Sequence, residues 1–245
     1  MKLRIAHLYP RMMNVYGDRG NILSLTRRCR AREIEVEVTE LGLGDAFDRG
    51  AHDLVFIGGA QDREQRVVAE DLRDVKGAAL REAIASDVTA LAVCGGYQLF
   101  GRFYRESAGS ELEGLGVFDL WTEHPGPGVE RLIGNVVAEM EGVGTLAGFE
   151  NHGGRTYLGE GVAPLARVRS GSGNNGKDGT EGARYRNAFG TYLHGSLLPK
   201  NPRLADMLIA LALGRTHGDV SLQPIDDRLE QAAHDAALQL VGSRR

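Results

Sequence analysis

The sequence has few of the features that would support a disulfide-stapled, membrane-spanning or nucleic-acid-binding protein. Only 2 of its 245 residues are cysteines, and without a CxxC pair they cannot form a cysteine-rich metal site. Its longest apolar runs, such as Val88 to Cys94, are far shorter than the roughly 20 residues of a membrane helix. The 29 Lys and Arg residues against 33 Asp and Glu give a net charge of −4, which supports neither a general nucleic-acid binder nor a polybasic membrane-surface protein.

The amino-terminal stretch also lacks the pattern of a secretory signal. Arg4 and His7 interrupt its apolar residues and no small-residue cleavage site follows, so we expect a strand of the mature protein. The scarcity of cysteine favours a reducing compartment, and we expect a cytoplasmic protein. A chain of this length can bury roughly 70% of its unfolded surface. We therefore expect a single domain over residues 1–245, with a core at about 3–214 and a C-terminal helix at about 225–240.

Short aliphatic and β-branched runs alternate with longer helical patterns through the first half of the chain. Four such runs predict buried parallel strands, at Leu3–Leu8, Ile34–Val38, Leu54–Ile57 and Val88–Val93. The alternation predicts an α/β fold with a doubly wound, mostly parallel sheet flanked by helices. Ligands of such folds bind beyond the carboxyl ends of the strands.

The second half is richer in strands and glycine. The segments GLGVFDLWTEH, RLIGNVVAEM and APLARVR predict strands that extend the sheet in antiparallel fashion. Gly171–Gly182 contains no sizeable apolar residue and predicts an exposed loop. A strand at Ala188–Leu193 and helices at Pro202–Leu213 and Ile225–Leu240 complete the prediction.

Cys94 carries the strongest local signal for chemistry. It follows a buried strand in the sequence LAVCGGYQ, with Ala92 two positions before it and Gly96 two positions after. This spacing is typical of a nucleophile elbow, whose tight turn has no room for larger neighbours. A helix that begins directly after the cysteine favours a thiolate and an oxyanion. The competing interpretation is a small buried apolar residue at a strand end, which is the common role of a free cysteine.

The other cysteine and the arginines around it have a structural interpretation. Cys29 lies in RRCRAR on a predicted helix, with no glycines and no elbow. We expect Arg27, Arg28, Arg30 and Arg32 to form a solvated face, with a partner or phosphate contact as the alternative.

A thiol nucleophile needs a base, and two histidines lie at predicted strand ends. His194, in FGTYLHG, directly precedes a glycine at the end of a late strand, where a parallel sheet would return it toward Cys94. His152, in FENHGGRTY, is the second candidate. Four others, His7, His52, His217 and His234, lie in ordinary surface or core contexts.

Two glycine-containing segments suggest anion binding. Gly58 and Gly59 follow a buried strand, where backbone N–H groups could approach a ligand as an oxyanion hole requires, and a simple tight turn is the alternative. Gly171, Gly176 and Lys177 match most of a phosphate-binding loop, but Asp178 replaces its Ser or Thr and no helix follows. We therefore expect no ATP site in this chain.

Six motifs, taken in order, resemble those of the class I glutamine amidotransferases. They are MNVYGDRGN, IGGAQDRE, CGGYQ, ELEGLGVFD, GFENHGGRTY and GTYLHGSLLPKN, and they span roughly residues 5–201. The YLHG strand end is similar to the cobyric acid synthase-like branch. The full set resembles the GatD family, the glutaminase subunits of lipid II isoglutaminyl synthase, whose ligase partner is MurT. The resemblance implies a flavodoxin-like amidotransferase fold.

The resemblance also implies roles for individual residues. Cys94 would attack the glutamine side-chain amide to form a γ-glutamyl thioester, and His194 would transfer the proton to departing ammonia. The backbone at Gly59 and Gly95 would stabilise the oxyanion. Gln98 would position the substrate, and Arg131 in VERLIGN would bind its α-carboxylate, with a surface salt bridge as the alternative.

One departure concerns the group that orients the histidine. Most class I amidotransferases carry a glutamate two residues after the histidine, whereas this sequence has Ser196. The sequence therefore predicts a triad that is incomplete within this chain. In the GatD family the resemblance implies an aspartate supplied by the MurT partner, which would make activity depend on the complex.

These observations predict a subunit that hydrolyses L-glutamine to glutamate and ammonia. The ammonia would reach a MurT-like, ATP-dependent Mur ligase that amidates the D-glutamate α-carboxyl of lipid II to D-isoglutamine in peptidoglycan. We expect no cofactor in this chain and place ATP, magnesium and any zinc on the ligase. The alternatives are a stand-alone cysteine hydrolase such as a γ-glutamyl hydrolase, with Glu150 as a candidate acid, an amidotransferase subunit for another ligase, and a non-catalytic subunit.

Overall fold

A computed structural model describes residues 1–242 and shows an α/β fold built on one large sheet. The first half of the chain supplies β1 (Lys2–Leu8), α1 (Arg19–Arg30), β2 (Glu35–Leu41), β3 (Leu54–Ile57), α2 (Asp62–Asp71), α3 (Gly77–Ala85), β4 (Thr89–Val93) and α4 (Gly95–Leu99). A 3₁₀ turn at Val15–Gly17 precedes α1, and a π-helical turn at Leu72–Lys76 joins α2 to α3. The four predicted parallel strands are therefore confirmed, with ends that differ by at most a few residues. The predicted burial is wrong for β2, in which only Leu41 is buried, because this strand lies at the edge of the sheet.

The second half supplies shorter strands and the closing helices. The strands are β5 (Phe103–Arg105), β6 (Glu111–Glu113), β7 (Leu120–Glu123), β8 (Leu132–Met140), β9 (Gly144–His152), β10 (Arg155–Leu158), β11 (Ala166–Ser170), β12 (Thr180–Glu181), β13 (Ala183–Tyr185) and β14 (Ala188–Thr191). The helices are α5 (Leu197–Lys200), α6 (Pro202–His217) and α7 (Arg228–Gly242). Among residues 1–242, no helix is both long enough and apolar enough to cross a bilayer.

The large sheet has six strands in the order β13-β14-β4-β3-β1-β2. All neighbours are parallel except β13, which pairs antiparallel with β14. Every residue of β3 and β4 is buried, as expected where helices cover both faces of a parallel sheet. Because β4 and β14 are adjacent and parallel, their carboxyl ends meet at one edge.

Most of the predicted antiparallel extension is not part of the large sheet. Only β13 extends it, whereas the other late strands form two separate four-stranded sheets, β10-β7-β5-β6 and β12-β11-β8-β9. The strand pattern in the sequence identifies β7, β8 and β11, but it carries no information about which sheet each strand joins.

The glycine-rich segment predicted as an exposed loop is partly buried. Asn174 is fully buried, where it accepts a hydrogen bond from the Tyr97 hydroxyl and donates one to the Gly182 carbonyl. Glu181, in β12, is also fully buried. The prediction is wrong here because a polar loop can lie inside a protein when its side chains satisfy the backbone groups around them.

The arginine cluster on α1 is largely an internal clamp. Arg28 is buried and donates to the carboxylates of both Asp206 and Asp227, at 2.5 to 3.0 Å. Arg32 also donates to Asp206, at 2.8 Å. The predicted solvated face is therefore wrong for Arg28 and for Arg32, whose side chains are 1% and 4% exposed, and it holds for Arg27 and Arg30. Arg28 joins α1 to α6 and to the segment before α7. Cys29 beside it is buried, and burial raises the pKa of its thiol to about 12, which agrees with a structural role.

Candidate active site

Cys94 occupies a strained turn between β4 and α4. Its backbone has φ 50° and ψ −104°, a left-handed conformation that a non-glycine residue adopts only where its surroundings enforce it. A side chain at Gly96 would place its Cβ 2.8 Å from the Gly58 carbonyl oxygen, so this position has no room for one. The turn therefore has the backbone strain and the small neighbour of a nucleophile elbow.

His194 reaches the same edge of the sheet. Its backbone exchanges hydrogen bonds with Phe149 of β9, at 2.7 and 3.3 Å, which hold the fully buried imidazole in place. A Cβ built on Gly59 would lie 2.7 Å from His194 Cε1 and 3.2 Å from Cys94 Cβ. The imidazole and the thiol therefore converge on Gly59, as the strand order predicts.

A carboxylate of this chain holds the other side of the imidazole. Asp18 Oδ1 lies 3.2 Å from His194 Nδ1, and neither side chain is exposed. The second oxygen, Oδ2, accepts a 2.7 Å hydrogen bond from the Gly59 N–H. The loop between β1 and α1 thus brings an acid to His194 from 176 residues away in the sequence, a contact that the sequence analysis did not predict. The expectation that the partner supplies the third triad member stays a prediction.

The charges on both sides of the imidazole outweigh the effect of burial. Burial alone would lower the pKa of His194, but the Cys94 thiolate and the Asp18 carboxylate raise it to about 10. An imidazole with this pKa is a cation at neutral pH. Its Nε2 atom is buried, and a side-chain interaction with Cys94 also contributes to the raised pKa of the imidazole.

The two positions that the sequence analysis considered for the orienting acid lie elsewhere. Glu150 accepts hydrogen bonds from the N–H groups of Ser172 and Gly173 and does not reach His194. Ser196, at the position where most class I amidotransferases have a glutamate, donates to the Gly17 carbonyl at 2.8 Å. Ser196 therefore packs against the loop that carries Asp18.

The backbone donors differ in part from the prediction. The Gly59 N–H is engaged by Asp18, so it is not free to bind an oxyanion. The next N–H, that of Ala60, and the N–H of Gly95 have no acceptor within residues 1–242. A Cβ on Gly95 would lie 2.9 Å from the Ala60 nitrogen, so the two donors are close together beside Cys94.

Gln98 lies in a buried polar network below the thiol. Its Nε2 donates to the Tyr192 hydroxyl at 3.1 Å, and its Oε1 accepts from Gln65 at 3.2 Å. The ring of His152 stacks on Tyr192, with ring centres 3.6 Å apart. His152 thus lies in the wall of the site and not at the thiol, where the sequence had made it the second candidate base.

Arg131 lies at the rim of the site. Its Nε and Nη2 donate to Asn151, at 2.8 and 2.9 Å, which orients the guanidinium. Its Nη1 has no acceptor within the described chain, and no carboxylate there pairs with the side chain. This guanidinium is therefore available to an anionic group of a ligand.

A cavity of about 460 Å³ is lined by Cys94, Gln98, His152 and Arg131, and it also reaches Asp62 and Tyr104. Tyr16 lies at its mouth in a left-handed conformation, φ 57°, with its ring edge-on to His194 at 5.1 Å. Sequence reasoning missed Asp18, Tyr16 and Asp62, although all three lie within quoted motifs. The available signal for Asp18 was an acid in the loop that follows the first parallel strand, at the same edge as Cys94.

The chain is similar to known glutamine amidotransferases in sequence and in fold. A sequence profile of the CobB/CobQ-like glutamine amidotransferase domain matches residues 4–202. A crystal structure of a glutamine amidotransferase superposes with a TM-score of 0.59 at 16% identity, covering 84% of this chain and 98% of the other. At that identity the superposition supports the fold alone.

Two curated relatives are similar over nearly the whole chain. Subunit GatD of the glutamine-hydrolysing lipid II isoglutaminyl synthase from Staphylococcus aureus (strain N315) is 42% identical, covering 100% of this chain and 98% of its own length. The subunit of the same name from Streptococcus pneumoniae is 41% identical, covering 94% of this chain and 88% of its own length.

Proposed function

Given that this chain belongs to the CobB/CobQ-like glutamine amidotransferase family, we propose that it is the glutaminase subunit of a lipid II isoglutaminyl synthase. It hydrolyses L-glutamine to glutamate and ammonia and delivers the ammonia to a separate ligase. The observation that carries the proposal is the contact of Asp18 with His194 beside the strained Cys94 turn. A thiol, a base and an orienting acid together make a nucleophilic hydrolase site.

The reaction begins with attack of the Cys94 thiolate on the carboxamide carbon of glutamine. The C–N bond then breaks, and the His194 imidazolium gives its proton to the departing nitrogen, which leaves as ammonia. The product at this stage is a γ-glutamyl thioester on Cys94. His194, now neutral, takes a proton from water, and the resulting hydroxide attacks the thioester to release glutamate and regenerate the thiolate.

The tetrahedral intermediates of both steps carry a negative oxygen. The free N–H groups of Ala60 and Gly95 support an oxyanion site beside the thiol, with Gly59 fixing the Asp18 carboxylate instead. Losing one such donor typically lowers the rate by about 10²–10³.

Two further side chains position the substrate. Arg131 binds the α-carboxylate through its free Nη1, since two of its nitrogens are already held by Asn151. Gln98 shapes the floor of the cavity, because Gln65 and Tyr192 hold both ends of its amide.

The acceptor of the ammonia is a MurT-type Mur ligase that holds ATP and magnesium, and any zinc. It amidates the D-glutamate α-carboxyl of lipid II to D-isoglutamine, in the cytoplasm. The naming of both curated relatives as subunits supports a partner. An aspartate from that partner remains a hypothesis for the third triad member, and Asp18 is the group that we favour because it already contacts Nδ1.

The same contact favours a second candidate, a stand-alone cysteine hydrolase such as a γ-glutamyl hydrolase. A chain that carries its own orienting acid has no need of a partner to complete the triad. The two candidates differ in where the released nitrogen goes.

A reconstituted amidation assay separates them. The chain and its candidate ligase are supplied with lipid II, ATP and either glutamine or ammonium chloride. We expect glutamine-dependent amidation that Cys94→Ala abolishes, with ammonium-dependent amidation retained by the same variant. Release of glutamate with no transfer of nitrogen to lipid II would contradict the proposal and favour the stand-alone hydrolase.

A further inference from the structure

The cavity above Cys94 has one feature that the proposed reaction steps do not use. Among the described residues that line it, Asp62 is the only carboxylate, whereas Arg63 and Arg131 are the cations. Asp62 is the first residue of α2 and belongs to the motif IGGAQDRE. The wall of the cavity therefore presents both signs of charge.

Only one oxygen of the Asp62 carboxylate accepts a hydrogen bond within the described chain. The Tyr104 hydroxyl donates to Asp62 Oδ1 at 3.2 Å. Tyr104 is itself buried, and burial raises the pKa of its phenol, so this hydroxyl stays protonated as a donor. The other oxygen, Oδ2, accepts no hydrogen bond within the described chain.

Arg66, a neighbouring cation on the same helix, makes no hydrogen bond to Asp62. Arg66 donates through Nε to both carboxylate oxygens of the buried Glu106, at 2.9 and 3.0 Å. No ion pair of Asp62 is present within residues 1–242. An oriented carboxylate with a free oxygen in a ligand cavity favours a cationic ligand group.

We propose that Asp62 binds the α-ammonium group of the substrate while Arg131 binds its α-carboxylate. This assignment rests on the proposed glutaminase function and specifies its substrate class. The cavity would select a free amino acid with both charges on its α-carbon. A glutamine whose amino group is acylated, as inside a peptide, would leave Asp62 unpaired and bind poorly.

The test compares L-glutamine with glutaramate, which is glutamine without its α-amino group. Cys94-dependent ammonia release is measured for the full chain with its ligase present. Asp62→Asn should lower kcat/KM for glutamine by about 10- to 100-fold, chiefly through KM, because a hydrogen bond to a charged group is lost. The same variant should change kcat/KM for glutaramate by less than about 3-fold, since that substrate makes no contact for the mutation to remove.

Two further variants accompany the test, one as a control and one as a second probe of Asp62. Glu64→Gln changes a carboxylate in the same helical turn that does not line the cavity, and it should affect neither substrate. Tyr104→Phe leaves Asp62 in place without its hydrogen-bond donor, and it should lower kcat/KM more for glutamine than for glutaramate. Calorimetric binding of both compounds to Cys94→Ala, with and without Asp62→Asn, gives a measurement independent of turnover.

Equal losses for both substrates would overturn the assignment, because they would show that Asp62 has only a structural role. The assignment would also be overturned if Asp62→Asn kept the wild-type ratio of kcat/KM for glutamine to kcat/KM for glutaramate. If the wild-type protein released no Cys94-dependent ammonia from glutamine, the proposed function itself would fail, together with this assignment. That result is distinguishable from the first two, in which the wild-type protein remains active.

Discussion

Two regions of the molecule bring reactive groups to one site in different ways. Cys94 and His194 follow neighbouring parallel strands, β4 and β14, whose shared carboxyl edge brings them together. Asp18 comes from the loop between β1 and α1, and it reaches His194 only because that loop folds back over the edge. The first arrangement follows from strand order, whereas the second depends on the path of an irregular segment.

The difference is visible in how each group is held. The backbone of His194 is bonded to β9, and Cys94 is fixed by the strained turn that opens α4. Asp18 is fixed at its carbonyl by the Asn21 N–H and at its side chain by the Gly59 N–H and the imidazole. A perturbation of Gly59 should therefore affect both regions at once.

Removing the base should have the largest effect. His194→Asn keeps a buried polar side chain of similar size but cannot carry the proton to ammonia. We expect glutamine-dependent ammonia release to fall by about 10⁴-fold, in line with the loss of a triad member. Steady-state ammonia assays check this, and a loss below about 10-fold would show that another group acts as the base.

A side chain added at Gly59, where the two regions meet, should lower kcat by an intermediate amount. Gly59→Ala places a Cβ 2.7 Å from His194 Cε1 and 3.3 Å from Asp18 Oδ2, so the ring must shift. We expect a fall in kcat of about 10²-fold or more, since misplacement of about 1 Å can have that effect.

Gly134→Ala is the matched control for this substitution. An added Cβ there meets no atom within 4 Å, and activity should be unchanged. Equal activity of the two variants would show that contact with Gly59 does not position the imidazole.

The buried polar loop should make the stability of the protein depend on pH, without affecting catalysis. Burial raises the pKa of Glu181 to about 7, so its proton is held more tightly in the folded state than in the unfolded chain. The stability due to this proton is fully present below about pH 4.5, and it is lost as pH rises through 7.

Glu181→Gln removes this titration while keeping a similar shape. Relative to the wild type, the variant should gain up to about 3 kcal/mol between pH 4.5 and 7. Thermal unfolding across that range measures the difference. Parallel Tm profiles for the two proteins would contradict a buried, neutral Glu181.

Much of the fold could be predicted from the sequence, since buried aliphatic runs and helical spacing identify the parallel strands and their connections. The elbow at Cys94 was equally accessible, because its signal is local to a few residues. The two separate four-stranded sheets, the buried Asn174 and the clamp at Arg28 could not be predicted, because each depends on contacts distant in sequence.

The site shows the same division. Local motifs identified Cys94, His194 and Arg131 as candidates, and the structure places Cys94 and Arg131 in the lining of one cavity and His194 close to Cys94. The family pattern places the acid two residues after the histidine, where this chain has Ser196. It therefore gave no reason to consider Asp18, which lies on a different loop. Gly59 was proposed as an oxyanion donor because paired glycines suggest free N–H groups, but the structure uses that N–H to hold Asp18.

The most direct test of the account is the rate of ammonia release from glutamine by the isolated chain, compared between the wild type and Asp18→Asn. If Asp18 orients His194, the wild-type chain hydrolyses glutamine without its ligase, and Asp18→Asn lowers that rate by about 10²–10⁴-fold, with or without the ligase. A silent wild-type chain that the ligase activates, together with an Asp18→Asn variant that is activated equally well, would contradict the account and place the orienting acid on the partner.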